Sequence, residues 1–181
     1  MKYLSESMEE QAVLQTAAQM CAAARTAPKT RGKDHIQTIV LTGEDKELLA
    51  QAMERIGQRE SDDAFMAWYG RDANNVRAAQ AVVLVGIGKE YRGVAHCGFC
   101  GHANCGECKS SGGYCAFAYV DLGIAVSSAA SVAADNRVDS RIMYSIGKAA
   151  GEMEYIADTL WLGIPVSVSG KSIFFDRSAS R

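Results

Sequence analysis

The segment FAYVDLGIAVSSAASVAAD, residues 117–135, decides the fold, because it is apolar almost all round over about five helical turns. A helix of this composition belongs in a protein core. Gly123, Ser127 and Ser131 recur every four residues along it and form a stripe that lets another helix approach closely. A small monomer has few places to cover so many apolar sides, so the segment also predicts a homodimer.

Hydrophobic periodicity on either side of this helix predicts strands that alternate with helices. The strands are predicted at residues 35–42, 81–87, 141–144 and 166–169. The first helix is predicted from an apolar stripe over residues 4–24 and is ended by Pro28, within a basic irregular loop at residues 25–34. The other helices are predicted at residues 44–59, 61–70 and 148–161, where Gly70 ends the third helix and Gly163 with Pro165 ends the last. A further turn is expected at residues 74–79. The pattern predicts one α/β (α+β) domain over residues 1–181.

Composition narrows the class of protein. The chain has 181 residues, of which 48% are hydrophobic, and a formal net charge of −2. A basic excess that would attract nucleic acid or anionic lipid is missing. The N-terminal text MKYLSESMEEQ has no apolar signal core, and no apolar run in the sequence reaches the roughly 20 residues of a membrane span. We therefore expect a soluble cytoplasmic protein that binds neither nucleic acid nor membrane.

Five of the six cysteines are crowded into a Cys-rich loop, residues 96–116, with the spacing C-x2-C-x4-C-x2-C-x6-C. In a cytosolic chain such crowding favours metal over disulfides. Cys97, Cys100 and Cys105 belong to both obvious sets of four ligands, and the fourth ligand is Cys115 or Cys108. We favour Cys115, because it begins the next helix and a helix N-terminus stabilises an anionic thiolate.

Two glycines support a tight turn in this loop. Gly98 and Gly101 flank the C-x2-C pair and permit the backbone conformations that bring two thiolates to one centre. Four thiolates complete a [4Fe–4S] cluster or a tetrahedral zinc site. Zinc ribbons usually separate their C-x2-C pairs by about 15–20 residues, so the spacing favours the cluster. A disulfide set, or a mixed zinc site completed by His96 or His102, stays open as an alternative.

Asp121 is a carboxylate within the otherwise apolar segment 117–135. A buried carboxylate needs a partner. We expect Arg137 or Arg141 to supply it.

The cysteine motif and three longer stretches of the sequence resemble known protein families. The run Cys97-Gly-x-Cys100-Gly-x-x-x-Cys105 resembles the [4Fe–4S] motif of the ferredoxin-type B subunit of Rnf electron-transport complexes and of corrinoid iron–sulfur proteins. The stretches GGYCAFAYVDLGIAVSSAA (112–130), NRVDSRIMYSIGKAA (136–150) and GIPVSVSGKSIFFDR (163–177) resemble a prokaryotic family of small ferredoxin domain-containing proteins of unknown function. In that family the cysteine before "AF" belongs to the pattern, which supports Cys115.

That family is in turn similar to flavin-dependent nitroreductases. The resemblance implies a mixed sheet with flanking helices, an intertwined homodimer and one FMN at each dimer interface. It places Arg25, Thr26 and Lys29 in a segment that binds FMN phosphate, and Lys171 is a further candidate contact. The alternative interpretation of these residues is a solvated basic loop and a turn.

The function predicted from these observations is an iron–sulfur redox protein. It would pass electrons through a [4Fe–4S] cluster, and through FMN if flavin is bound, to a small-molecule acceptor or a redox partner protein. Whether it is an oxidoreductase in its own right is left open. The alternatives are a non-catalytic zinc module that mediates assembly and an iron–sulfur sensor.

Overall fold

In a computed structural model, described over residues 1–59 and 63–175, the chain forms one layered α/β unit. The helices are α1 (Ser5–Thr26), α2 (Gly43–Arg59), α3 (Asp63–Ala78), α4 (Cys105–Ser110), α5 (Ala116–Asp135) and α6 (Tyr144–Glu152). The strands are β1 (Ile36–Leu41), β2 (Ala81–Gly88), β3 (Asp139–Ser140) and β4 (Thr159–Ser167). The predicted helix start at Ser61 and Asp62 lies outside the described residues.

The four strands form one sheet in the order β1-β2-β4-β3, and each described pairing is antiparallel. Ile36 is level with Ile87 at one end of the sheet, and Ala81 is level with Val166 at the other. The central strand β2 is buried from Ala81 to Ile87, which confirms the prediction from its unbroken apolar run. The predicted fold class, a sheet flanked by helices, is confirmed.

Helices cover both faces of this sheet, and β2 supplies side chains to each. Ala81, Val83, Val85 and Ile87 face the layer of α1 and α5. Val82 and Leu84 face the layer of α2, α3 and α6. This alternation is what the two-residue period of a strand requires, and it divides the apolar core into one half on each side of the sheet.

The C-terminal elements differ from the prediction. Residues 148–161 were expected to be helical, but α6 ends at Glu152 and β4 begins at Thr159. The reason is tertiary: β4 pairs with β2 along the whole length of β2, and this pairing outweighs a helical period. The predicted strand at residues 141–144 is also wrong, because β3 is Asp139–Ser140 and Tyr144 already begins α6.

Gly70 does not end the third helix, which continues to Ala78. A glycine inside a helix costs about 1 kcal/mol relative to alanine. The buried residues Tyr69, Ala73 and Val76 pack into the core on either side of it, and that burial offsets the cost. The separate turn expected at residues 74–79 is the end of this same helix.

The long helix α5 is buried on one side only, which corrects the expectation of burial all round. Seven of its residues are buried against α1 and the sheet. The opposite side exposes three large apolar residues, Tyr119, Val120 and Ile124, together with the small-residue stripe at positions 123, 127 and 131. Among the described helices, α5 has the length and composition of a membrane span, yet its buried side packs as a core helix does.

Candidate metal centre

The Cys-rich loop follows β2, the central strand of the sheet, and ends where α5 begins. All six cysteines lie in the described part of the chain and none is in a disulfide. Cys97, Cys100 and Cys105 are half-buried, whereas Cys108 and Cys115 are buried. The loop therefore buries the thiols of Cys108 and Cys115 and keeps the other three near the protein surface.

The predicted tight turn is present between the first two cysteines. Gly98 has φ +55° and Gly101 has φ +81°, a left-handed region that side-chain-bearing residues rarely adopt. The N–H of Gly101 donates to the carbonyl oxygen of Gly98 at 2.9 Å. A cavity of about 330 Å³ opens beside this turn, and Cys97, Cys100 and Cys105 lie on its wall. The turn thus places three thiols around one space.

The short helix α4 fixes the orientation of two cysteines. The Asn104 side-chain oxygen accepts from the N–H of Glu107 at 2.9 Å, and the Glu107 carboxylate accepts from the N–H of Ala103 at 2.6 Å. These reciprocal bonds resemble a capping box. They start the helix at Cys105 and turn Cys108, one helical turn later, into the interior.

Cys108 interacts with three other thiols of the loop. Its pKa is raised by burial, by a hydrogen bond with Cys100, and by the neighbouring thiols of Cys115 and Cys105. Its Sγ also lies 3.5 Å from the carbonyl oxygen of Tyr114. Cys115 is the N-cap residue directly before α5, as the sequence predicts, and its side chain makes no capping hydrogen bond. Cys108 is therefore close to Cys100 and Cys105 as well as to Cys115, and the choice of the fourth ligand between Cys108 and Cys115 stays a prediction.

The spacing of the donors does not suit a single ion as the side chains stand. Within residues 1–59 and 63–175, no three Cys, His, Asp or Glu side chains are placed to share one metal ion. His102 nevertheless lies near Cys108: a Cβ built on Gly113 would be 3.1 Å from both His102 Nε2 and Cys108 Sγ. His96 is exposed at the edge of the same loop. The loop thus offers five thiols, with one imidazole beside the buried thiol.

A buried ion pair closes the stem of the Cys-rich loop. Arg92 Nε lies 2.8 Å from Asp121 Oδ2, and each side chain is 1% exposed. Asp121 Oδ1 accepts from Thr30 twice, from the N–H at 2.9 Å and from Oγ1 at 2.8 Å. The predicted partners of this carboxylate, Arg137 and Arg141, are therefore wrong. Sequence spacing gave no signal for Arg92, because it is separated from Asp121 by the entire loop.

The side chains predicted to bind FMN phosphate have partners within the chain. Arg25 Nη1 lies 2.8 Å from Asp34 Oδ2. Thr26 Oγ1 donates to the carbonyl oxygen of Ala22 at 3.0 Å. The Lys29 ammonium donates to the carbonyl oxygens of Arg25 and Ala27, the latter at 2.7 Å. The bonds from Thr26 and Lys29 satisfy backbone carbonyl groups at the C-terminal end of α1.

Lys171 is separate from these residues. It lies in the loop after β4, whose last residue, Ser167, is at the end of the sheet where β2 begins. Arg25 and Lys29 precede β1, whose first residue is at the other end. Within one chain, the structure brings Arg25, Thr26 and Lys29 together and leaves Lys171 apart.

Known structures share this architecture at low sequence identity. A BluB-like flavoprotein from Clostridium difficile 630 has a TM-score of 0.60 at 16% identity, over 92% of this chain and 84% of that chain. A nitroreductase with bound FMN from Desulfitobacterium hafniense DCB-2 has a TM-score of 0.57 at 15% identity, over 95% and 81%. A nitroreductase family protein from Clostridium novyi NT has a TM-score of 0.55 at 15% identity, over 88% and 77%. The fold is nitroreductase-like.

Two sequence comparisons identify the family. An uncharacterized protein of Archaeoglobus fulgidus is 38% identical over 170 residues, which are 90% of this chain and 90% of that protein. The family described as "Uncharacterized protein containing a ferredoxin domain (DUF2148)" matches residues 111–177, a range that includes Cys115 and begins after Cys108. The chain belongs to this family of uncharacterized ferredoxin-domain proteins, built on a nitroreductase-like fold.

Proposed function

We propose that the protein is an iron–sulfur redox protein with one [4Fe–4S] cluster in its Cys-rich loop. The observation that carries this proposal is the group of five free thiols beside a glycine turn: Cys97, Cys100 and Cys105 line a cavity, and Cys108 and Cys115 are buried. We assign the ligands as Cys97, Cys100, Cys105 and Cys115, with Cys108 as the alternative fourth ligand. The ferredoxin-domain family supports a cluster in this protein, and its match at residues 111–177 includes Cys115.

The spacing of the thiols favours a cluster over a single zinc ion. All donors to one zinc ion lie about 2.0–2.3 Å from one atom, whereas each thiolate of a cluster binds a different iron atom. Cys97, Cys100 and Cys105 line a cavity of about 330 Å³, and only four residues separate the two C-x2-C pairs, where zinc ribbons have about 15–20. Zinc is the second candidate, because the imidazole of His102 lies near Cys108.

When bound, a cluster of this type supplies one-electron transfer. The protein's own residues set its environment. Cys115 at the N-terminus of α5 places a thiolate where the helix dipole stabilises negative charge. The hydroxyl of Tyr91 donates to the carbonyl oxygen of Gly113 at 2.7 Å and holds the return of the loop against the core. Burial of Cys108 and Cys115 keeps water from the inner side of the centre.

A visible spectrum of anaerobically purified protein tests the proposal. A cluster gives broad absorbance that bleaches when dithionite is added, whereas bound FMN gives structured bands. A colourless protein that contains zinc would favour the second candidate. The acceptor of the electrons is then sought among small molecules and redox partner proteins by following reoxidation of the reduced centre.

FMN is a further part of the proposal, supported by the nitroreductase-like fold and by the FMN bound in one of the compared structures. A phosphate needs fixed cationic donors, and Arg25, Thr26 and Lys29 are the candidates. Because Arg25 already pairs with Asp34, FMN has to compete with that carboxylate. Lys171 contributes only if a second chain brings it near.

We also propose a homodimer formed through the exposed side of α5. Tyr119, Val120 and Ile124 are 50%, 43% and 37% exposed there, and the small-residue stripe beside them allows close helix packing. Sedimentation at micromolar concentration is expected to give twice the 19.4 kDa of one chain. Ile124→Asp is expected to give monomers, whereas Leu48→Asp, at an exposed apolar residue of α2, is the matched control and should leave the dimer intact.

A further inference from the structure

The Cys-rich loop is closed at its stem by groups that are not themselves metal ligands. Arg92 lies before the loop and Asp121 lies after it, and their side chains meet at 2.8 Å in the core. The Arg31 guanidinium donates to the carbonyl oxygens of Arg92 at 3.1 Å and Gly93 at 2.7 Å. Thr30 donates twice to Asp121. Three segments, two of them the ends of the loop, are thus tied at one buried point.

The ion pair is an expensive way to hold a fold. Removing two charges from water carries a penalty that their attraction only partly repays, and an apolar pair of similar volume is often as stable. Here Arg92 Nε, Nη1 and Nη2 and Asp121 Oδ2 have no hydrogen-bond partner among the described residues, so the 2.8 Å contact between Nε and Oδ2 is an ion pair without hydrogen-bond geometry. A buried guanidinium whose three nitrogen atoms all have no hydrogen-bond partner among the described residues indicates a role beyond packing.

We propose that Arg92 and Asp121 are positioning residues of the metal centre, which hold the two ends of the Cys-rich loop together and whose charges set the reduction potential of the centre. This inference rests on the proposed function. Asp121 lies six residues after Cys115 on α5, which is about 9 Å along a helix that rises about 1.5 Å per residue. Charges buried at such a distance are only weakly screened by salt.

The two charges act in opposite directions. Reduction adds one electron to the centre, with no protein bond formed or broken, so a nearby cation favours the reduced state and a nearby anion opposes it. Arg92→Met removes the cation and is expected to lower the midpoint potential. Asp121→Asn keeps the shape of the side chain, removes the anion and is expected to raise it. Arg92→Lys keeps the charge and is expected to restore the potential towards that of the wild type.

The test is a potentiometric titration of the full-length chain, with dithionite as the one-electron reductant. The matched control is Arg77→Met, which removes a cation from the ion pairs with Glu47 and Glu54 on α2, in the helix layer on the other side of the sheet from α5. That control should leave the potential unchanged. Shifts of the same sign in Arg92→Met and Asp121→Asn, or none, would overturn the charge effect. If Arg92→Met does not fold, the charge effect is tested with the other two variants. Asp121→Asn should then raise the midpoint potential, while Arg92→Lys should leave it near that of the wild type; equal potentials would overturn the charge effect.

Hydrogen exchange measures the positioning role without any redox reaction. The amide of Thr30 donates to Asp121, so it reports whether the stem is closed. Its exchange is expected to be faster in Arg92→Met than in the wild type and in Arg77→Met, and equal rates would overturn the positioning role. A wild-type chain without iron and sulfide would instead overturn the proposed function and the charge effect with it, while exchange at Thr30 would still decide whether the pair closes the stem.

Discussion

The Cys-rich loop and the basic segment, residues 25–34, both concentrate residues that commonly bind cofactors, but the protein uses them differently. In the basic segment, Arg25, Thr26 and Lys29 each donate to an acceptor of the chain itself. In the Cys-rich loop the thiols form no disulfide, and three of them, Cys97, Cys100 and Cys105, line a cavity. Hydrogen bonds within the fold account for the first set of side chains, whereas in the second set Cys108 makes weak thiol hydrogen bonds with the carbonyl oxygen of Tyr114 and with Cys100.

The difference follows from the chemistry of the side chains. Arginine, lysine and threonine are strong donors, and α1 ends beside them with carbonyl groups that need partners. A thiol is a weak donor, so five thiols in one loop stabilise little unless a metal binds them. Residue types that the fold can use readily are therefore weaker indicators of a cofactor than residue types that it cannot.

The largest effect is expected from breaking the Cys-rich loop. Cys115→Ser should lose iron and sulfide, because it removes the ligand at the N-terminus of α5, whereas Cys108→Ser should keep both near the wild-type level. Cys21→Ser, outside the loop on α1, is the matched control. The reverse result would move the fourth ligand to Cys108, and equal tolerance of both would mean that either can serve.

The second-largest effect is the loss of unfolding free energy when the ion pair at the stem of the loop is broken, compared with the loss when the ion pair of the basic segment is broken. Arg92→Met leaves Asp121 charged and buried and should lower the free energy of unfolding by about 3–5 kcal/mol. Arg25→Met breaks a pair whose side chains are 46% and 40% exposed, so its cost should stay below about 1 kcal/mol. Urea denaturation measures both, and similar costs would show that burial does not distinguish the two pairs.

A smaller effect concerns FMN at the basic segment. A charge-assisted hydrogen bond contributes about 1.5–3 kcal/mol, so Arg25→Ala should weaken FMN binding by about tenfold or more. Asp34→Asn releases Arg25 from its partner and should strengthen binding by a few fold. Flavin fluorescence during titration of the apoprotein measures both. No saturable binding by the wild type at tens of micromolar would leave the cluster as the only redox centre.

The smallest effect is the pH dependence of the Asp34 pair. Burial alone would raise the pKa of this carboxyl, but hydrogen bonds from Arg25 and the Ile36 amide, with the charges of Arg25 and Lys29, lower it. The contribution of the pair to stability is therefore present above the unfolded-state pKa of about 3.9. It should be lost as the pH falls through the lower folded-state pKa. The difference in unfolding free energy between wild type and Asp34→Asn, followed from pH 7 downwards, should shrink in acid; a constant difference would contradict this.

Much of the fold was predictable because local patterns and tertiary contacts agree in it. The unbroken apolar run of β2 predicts its burial on both faces, and the amphipathic pattern at residues 44–59 predicts α2. The C-terminal part of the fold was not predictable in this way. The sequence from α6 to β4 has a helical period, which strand pairing with β2 overrides. Periodicity carries no information about which distant strand will pair.

The part of the candidate site that depends on local sequence signals was predictable. Cysteine spacing and the positions of Gly98 and Gly101 are local signals, and the left-handed turn that they predict is present. The partner of Asp121 is a long-range contact across the whole loop, so proximity in sequence pointed to the wrong arginines. In the basic segment, the sequence identifies cationic residues that commonly bind phosphate. It does not predict that Thr26 and Lys29 donate instead to carbonyl oxygens at the end of α1.

The central claim is that the Cys-rich loop holds an iron–sulfur cluster, and the most direct measurement is the iron, acid-labile sulfide and zinc content of anaerobically purified protein. The account predicts about four iron and about four sulfide per chain, with no stoichiometric zinc. About one zinc per chain without sulfide would contradict it and would leave the loop as a structural zinc site.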